Sequence, residues 1–189
     1  MPSLLKSTYN TRYLMEDNKK YIRSDRLYNL TDADINWLKD NNYRTIIDLR
    51  GKDEINNNPC SLSVNKDFIY KHMPVTIGNI IDKQDRSVSD FYIDMLDDNM
   101  QSIIEAIESA TTGVAYFCSL GKDRTGVVSA LLLQRAGYSK EYIINNYALT
   151  QTNLKDVIPA IAKEFNIDVN TPLLLAKAEF MEEFLSKYE

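Results

Sequence analysis

Short apolar runs rich in β-branched and aromatic residues alternate along this chain with longer segments in which apolar residues recur at helical spacing. That alternation predicts an α/β fold. Thr31 is a good helix N-cap, Asp34 falls at the third helical position, and Leu30 with Ile35 has the spacing of a hydrophobic staple. A helix is therefore expected to about Asp40, stopped by Asn41 and Asn42, with Trp37 and Leu38 on its apolar face. Residues 44–50 read as a buried strand bounded by Gly51, and residues 67–75 as another in which Pro74 ends the pairing. Between Ser89 and about Ala110, Phe91, Met95, Ile103, Ile104 and Ile107 predict one long helix or two joined ones. Residues 113–117 form a short apolar strand, and 125–136 a helix buried on most sides with Gly137 as its cap. From Tyr142 to Tyr188 the pattern is helical, with breaks near residues 166–168 and at Thr171 and Pro172.

No internal repeat, low-complexity tract or Pro/Gly/Ser linker interrupts the pattern, so residues 1–189 are expected to form one domain. A strand, a glycine-containing loop and a buried helix in that order put the loop at the carboxyl end of a mainly parallel, twisted sheet flanked by helices. Ligands commonly bind there in such folds.

Composition narrows what that ligand is. Of 189 residues, 44% are hydrophobic and 26% charged, and 22 basic against 27 acidic side chains leave a net charge of −5. An acidic chain argues against nucleic acid as the main partner, whereas a small phosphorylated substrate needs only a local positive pocket. No apolar run approaches the roughly 20 residues that span a bilayer. The opening residues Met1 to Lys6 lack a signal-peptide pattern, so no stable membrane insertion and a cytoplasmic location are expected, with export by a route that leaves no visible signal as the alternative. Cys60 and Cys118 are read as free thiols, Cys60 as a bystander in a polar loop. His72 is the only histidine, which removes His-dependent triads and most zinc enzymes, and is read as structural. The aromatic residues of the last helices read as core, compatible with a monomer or a weak homodimer.

The candidate chemistry lies in Cys118-Ser119-Leu120-Gly121-Lys122-Asp123-Arg124-Thr125-Gly126. Five residues between Cys118 and Arg124 can turn their N–H groups around one phosphate, and the following helix adds the positive end of its dipole. Arg124 supplies a planar fork for two phosphate oxygens, and Gly121 permits a backbone conformation that a side chain would obstruct. The same field favours the thiolate of Cys118, which makes it a candidate nucleophile. An ATP-binding reading of Gly121-Lys122 fails, because Asp123 stands where Ser or Thr is required. Asp48 and Arg50, at the end of a buried strand, are candidates either for contact with the loop or for a plain internal ion pair. Lys122 is a candidate for additional phosphate on an inositol headgroup or an idle exposed lysine. Arg23 and Arg26 are read as surface charge, with a wider positive rim around the site as the alternative.

Residues 118–126 resemble the active-site loop of the protein tyrosine phosphatase superfamily, and 121–126 are similar to its bacterial tyrosine and phosphoinositide phosphatase branch. Residues 23–27, 30–34 and 45–50, Glu54, and residues 147–150 and 179–183 are similar to further motifs of that branch in the same order. The resemblance implies a tyrosine-phosphatase-like fold and a phosphoric monoester hydrolase acting without cofactor or metal. It also implies a phosphocysteine at Cys118, with Arg124 and the amides of 119–124 on the phosphate oxygens. Thr125 matches the hydroxyl that assists the cysteine, and Asp123 the general acid, with Asp85, Asp90 or Asp82 on a mobile loop as alternatives. The substrate expected is a phosphotyrosine protein, with dual-specificity or phosphoinositide-directed action as variants. One departure is Phe117, where the superfamily usually carries histidine, so a phosphate-binding adaptor without turnover stays open as the rival.

Overall fold

A computed structural model describes residues 3–76, 86–164, 166–172 and 174–188. The chain opens with β1 (Arg12–Tyr13) and β2 (Tyr21–Ser24), an antiparallel pair. Then comes α1 (Asp32–Asp40), and its start is the expected one: Thr31 Oγ1 accepts from the Asp34 N–H while the Asp34 carboxylate accepts from the Thr31 N–H. There follow β3 (Tyr43–Asp48), α2 (Lys52–Asn57), β4 (Ile69–His72), α3 (Val88–Asp94), α4 (Asp98–Glu108) and β5 (Gly113–Phe117). The chain ends with α5 (Asp123–Arg135), α6 (Lys140–Leu154), α7 (Ile158–Glu164) and α8 (Ala178–Tyr188).

The strands lie in the order β1-β2-β5-β3-β4, and β2, β5, β3 and β4 run parallel. The most apolar strand, β5, is therefore central. Its Phe117 sits opposite Ser24 on one neighbour and Asp48 on the other. Side chains alternate between the two faces as strand geometry requires. Val114, Tyr116 and Cys118 join the core formed with α3, α4, α5, α6 and α8. Ala115 and Phe117 join the opposite core, with Ile22, Ile46, Cys60 and, from α1, Leu38. Trp37 stacks on Tyr43 with ring centroids 5.7 Å apart. Helix α5 is buried from Arg124 to Leu133, which suits its place against the central strand.

Several expectations are refined. The segment from Ser89 to Ala110 is two helices, because Asp97 caps a fresh start by accepting from the N–H groups of Asn99 and Met100. The strand expected over 67–75 pairs only through Ile69–His72, and the last helical stretch also breaks after Leu154. Strands β1 and β2 and helix α2 were not expected. Among the described residues, no helix is long and apolar enough to cross a membrane.

Candidate active site

Chain direction alone brings Cys118 to the carboxyl edge of the sheet, where β5 ends and the loop to α5 begins. The loop turns its carbonyl oxygens away into the protein. Ser119 O accepts from the Arg26 N–H (3.3 Å), Leu120 O from Asn10 Nδ2 (3.0 Å), and Gly121 O from both Asn10 Nδ2 (3.1 Å) and an Arg23 guanidinium nitrogen (2.8 Å). None of the N–H groups of residues 119–122 is bonded to a described residue. With its carbonyls tied and its amides free at the start of a helix, the loop has the donor arrangement that receives an anion.

Gly121 makes this packing possible. Its φ is +63°, and a Cβ there would lie 2.5 Å from Ser24 O and 2.7 Å from Asp25 N. The loop thus rests directly on the end of β2. Gly126 allows a second close approach, since a Cβ would come within 3.0 Å of the Tyr147 ring.

Arg124 is held by a residue that no chemistry in the sequence singled out. Its two terminal nitrogens donate to the two oxygens of Glu54, at 2.5 and 2.8 Å, and Ser119 Oγ donates to the same carboxylate. Glu54 is the third residue of α2 and also accepts from the Gly51 N–H that begins that helix (2.9 Å). Burial alone would raise the Glu54 carboxyl, but the Arg124 hydrogen bonds and charge outweigh it and bring its pKa down to about 2. Burial likewise opposes the Arg124 charge, and Glu54 overcomes it. The Nε–H of Arg124 remains buried with no partner among the described residues, as does Thr125 Oγ1.

Asp123 opens α5. Its Oδ1 accepts from the Tyr92 hydroxyl (2.6 Å) and lies 3.0 Å from Lys122 Nζ. Tyr92 shares a second hydrogen bond with the Tyr147 hydroxyl (2.7 Å) and packs edge-on against the Phe184 ring of α8. Burial first, then the Asp123 charge, push the Tyr92 phenol well up, so it stays a donor. Asp90 sits elsewhere, capping α3 through the Ser87 N–H and paired with Lys187 of α8 at 2.6 Å. That lysine, followed by the cap contacts, brings the Asp90 pKa down to about 2. Asp82 and Asp85 lie outside the described residues.

Lys122 is not an exposed loop lysine. It is 1% exposed, and its Nζ donates to Leu175 O (3.0 Å). Arg23, expected at the surface, is also 1% exposed. Arg26 lies over the Tyr28 ring at 4.4 Å. Asp48 and Arg50 form a buried ion pair at 2.8 Å, and the Tyr70 hydroxyl donates to the same carboxylate. The Arg50 guanidinium covers the Phe117 ring, 5.1 Å from its centroid. Phe117 thus packs behind the sheet, on the face opposite Cys118. His72 bonds to Arg50 O (2.8 Å).

A cavity of about 740 Å³ opens elsewhere, between β1 and α6, lined by residues such as Tyr13, Lys19, Asn145 and Leu149, and no residue of the loop lines it. Chemistry rather than cavity size marks the loop as the site.

Two comparisons place the chain among known proteins. The family model described as "Tyrosine phosphatase family" matches residues 9–189. A curated protein named tyrosine-protein phosphatase, from Nostoc commune, is 31% identical over 140 residues. That match covers 69% of this chain and 48% of the relative, so the chain spans about half the length of the curated relative it matches.

Proposed function

The chain belongs to the tyrosine phosphatase family, and from that premise we propose that it is a cysteine-dependent phosphatase hydrolysing phosphate monoesters through a phosphocysteine. The observation that carries this reading is the loop whose carbonyls are bonded away from it while its amides stay free, with Cys118 at one end and Arg124 at the other. The Cys118 thiolate attacks phosphorus in line, forming the S–P bond as the ester P–O bond breaks. The loop amides and the free Nε–H of Arg124 meet the charge on the equatorial oxygens. Asp123 gives its proton to the leaving oxygen. It then takes one from the water that attacks phosphorus and releases the thiolate. Thr125, whose hydroxyl is buried and unpaired, assists that second step.

Asp123 is preferred over Asp90 as the acid because Asp90 is committed to a helix cap and an ion pair with α8. Phosphotyrosine is preferred over phosphoinositides because Lys122, the residue that would meet a further phosphate, is buried and held by Leu175 O. Hydrolysis of an aryl phosphate, with and without EDTA, for wild type and Cys118→Ser tests the reading. Metal-independent turnover lost in the serine variant is expected. Phosphate binding without turnover at any pH would replace the enzyme with the adaptor. An Asp123→Asn variant that keeps wild-type kcat on an alkyl phosphate would remove Asp123 from its role. A panel of phosphopeptides and phosphoinositides then ranks substrates.

A further inference from the structure

The buried cations of this protein divide into those with an anion in contact and those without. Arg50 has Asp48, Arg124 has Glu54, and Lys122 has Asp123. Arg12 and Arg23 have no carboxylate in contact among the described residues, yet they are 7% and 1% exposed. Strand pairing sets them opposite each other, Arg12 on β1 against Arg23 on β2. Like charges in that relation repel, and a buried charge without a counterion is strongly disfavoured.

Arg12 receives partial relief. Its nitrogens donate to Asn10, to Asn146 O and to Thr150 Oγ1, and Asp25 attracts it through space. Among the described residues Arg23 has only neutral acceptors, Asn146 Oδ1 and Gly121 O, both at 2.8 Å, and its Nε–H is buried with no partner there. Strand register puts Arg12 and Tyr116 beside it, and the titratable groups that act on it through space include these two, Tyr147 from α6, Tyr92 from α3, and Cys118. Burial pulls its own pKa down, and Tyr116, Cys118, Tyr147 and Tyr92 push it back. The three phenols are themselves raised, by burial above all. Of this set, Cys118 is the group that the proposed reaction uses as an anion, and it stands at the head of the loop whose Gly121 O is held by Arg23. It also faces Arg124, around which Glu54 and Asp123 are arranged.

We infer that Arg23 is a positioning residue of the phosphate loop: its uncompensated charge, pinned by Asn146 beneath Gly121, favours the Cys118 thiolate and fixes the loop with its carbonyls inward. The role rests on the phosphatase reading of Cys118. It supplies a buried cation behind a loop in which residue 117 is an apolar ring. The interaction is reciprocal, so whatever the thiolate contributes to keeping Arg23 charged, Arg23 contributes to keeping the thiol ionised.

The test reads the thiol and not turnover. Alkylation of Cys118 by iodoacetamide is followed against pH in the intact protein, with peptide mass spectrometry assigning the site. Four proteins are compared: wild type, Arg23→Lys, Arg23→Gln and Asn146→Asp. The last keeps Arg23 and sets a carboxylate against it. Arg23→Gln and Asn146→Asp should raise the alkylation midpoint by about one pH unit, slowing labelling below the wild-type midpoint roughly tenfold. Arg23→Lys, which keeps the charge and loses the fork, should stay close to wild type. Thermal melts establish that each variant is folded. Should Arg23→Gln fail to fold, Asn146→Asp decides alone. Unchanged midpoints in the folded neutralised variants would overturn the inference, even if their turnover fell. Absence of turnover in wild type would sink the phosphatase reading and leave the midpoint comparison intact.

Discussion

Glu54 binds Arg124 through both carboxylate oxygens, accepts from Ser119 and caps its own helix through Gly51. A group so placed fixes the plane of the guanidinium and leaves Nε–H, which the proposed reaction would turn to the phosphate. Glu54→Gln should therefore lower kcat/KM for an aryl phosphate by about 10- to 100-fold, the range for losing a charged hydrogen bond. It should also change acid stability in a defined direction. The folded-state pKa of about 2 lies below the ordinary glutamate value, so this contribution is fully present above that ordinary value and is lost as pH falls through about 2. Wild type should exceed Glu54→Gln in stability above about pH 5, and denaturant melts should converge as pH approaches 2. The pairing of Cys118 with Arg124 was legible from spacing, because a candidate nucleophile and a candidate phosphate fork with five residues between them have one common use. Glu54 and Arg23 were legible only as parts of motifs shared with the resembled family, not as partners of the loop. Their partners in the loop, on α5 and on α6 lie 65 to 123 residues away along the chain, and an arginine with neutral acceptors looks in sequence like any surface charge.

Strand β5 and helix α5 were readable because each carries a continuous signal: five apolar positions, then a helix whose sides are nearly all buried. Helix α2 buries no residue and so has no apolar stripe to detect, although it delivers Glu54. Strand β2 is buried along its whole length but spells Tyr-Ile-Arg-Ser, and the arginine masks it. The turn between β5 and α5 works only because Gly121 meets the end of β2 without a side chain. Gly121→Ala adds a methyl group 2.5 Å from Ser24 O in a left-handed conformation, and the clash is with backbone that cannot step aside. The variant should lose about 2 kcal/mol or more in urea unfolding. Displacement of the loop should cost roughly 100-fold in kcat/KM. An alanine variant with wild-type stability and rate would show that the loop does not depend on this contact.

Across the whole molecule the sheet is a partition. The α/β class and the parallel centre followed from the order of elements, whereas the assignment of each element to a face depended on contacts distant in sequence, such as Tyr92 against Phe184. The two cysteines fall on opposite sides of that partition: Cys118 with Tyr116 and Val127, Cys60 with Ile22 and Phe117. Cys60 is 2% exposed, and burial pushes its thiol up to about 11. The consequence concerns oxidants. A Cys118 thiolate that attacks hydrogen peroxide becomes a sulfenic acid as the O–O bond breaks and hydroxide leaves, and the usual rescue is condensation with a second thiol. Here the second thiol is across the sheet, protonated and enclosed, and the chain has two cysteines in all. Peroxide should therefore inactivate the protein without forming a Cys60–Cys118 disulfide, and activity should return only when a thiol is supplied from outside. Mass spectrometry of the treated protein checks this, and an intrachain disulfide would contradict it. The sheet that separates the two thiols thus leaves Cys118 without a resolving partner in Cys60, so oxidative silencing of this protein would last as long as its surroundings lack a reductant.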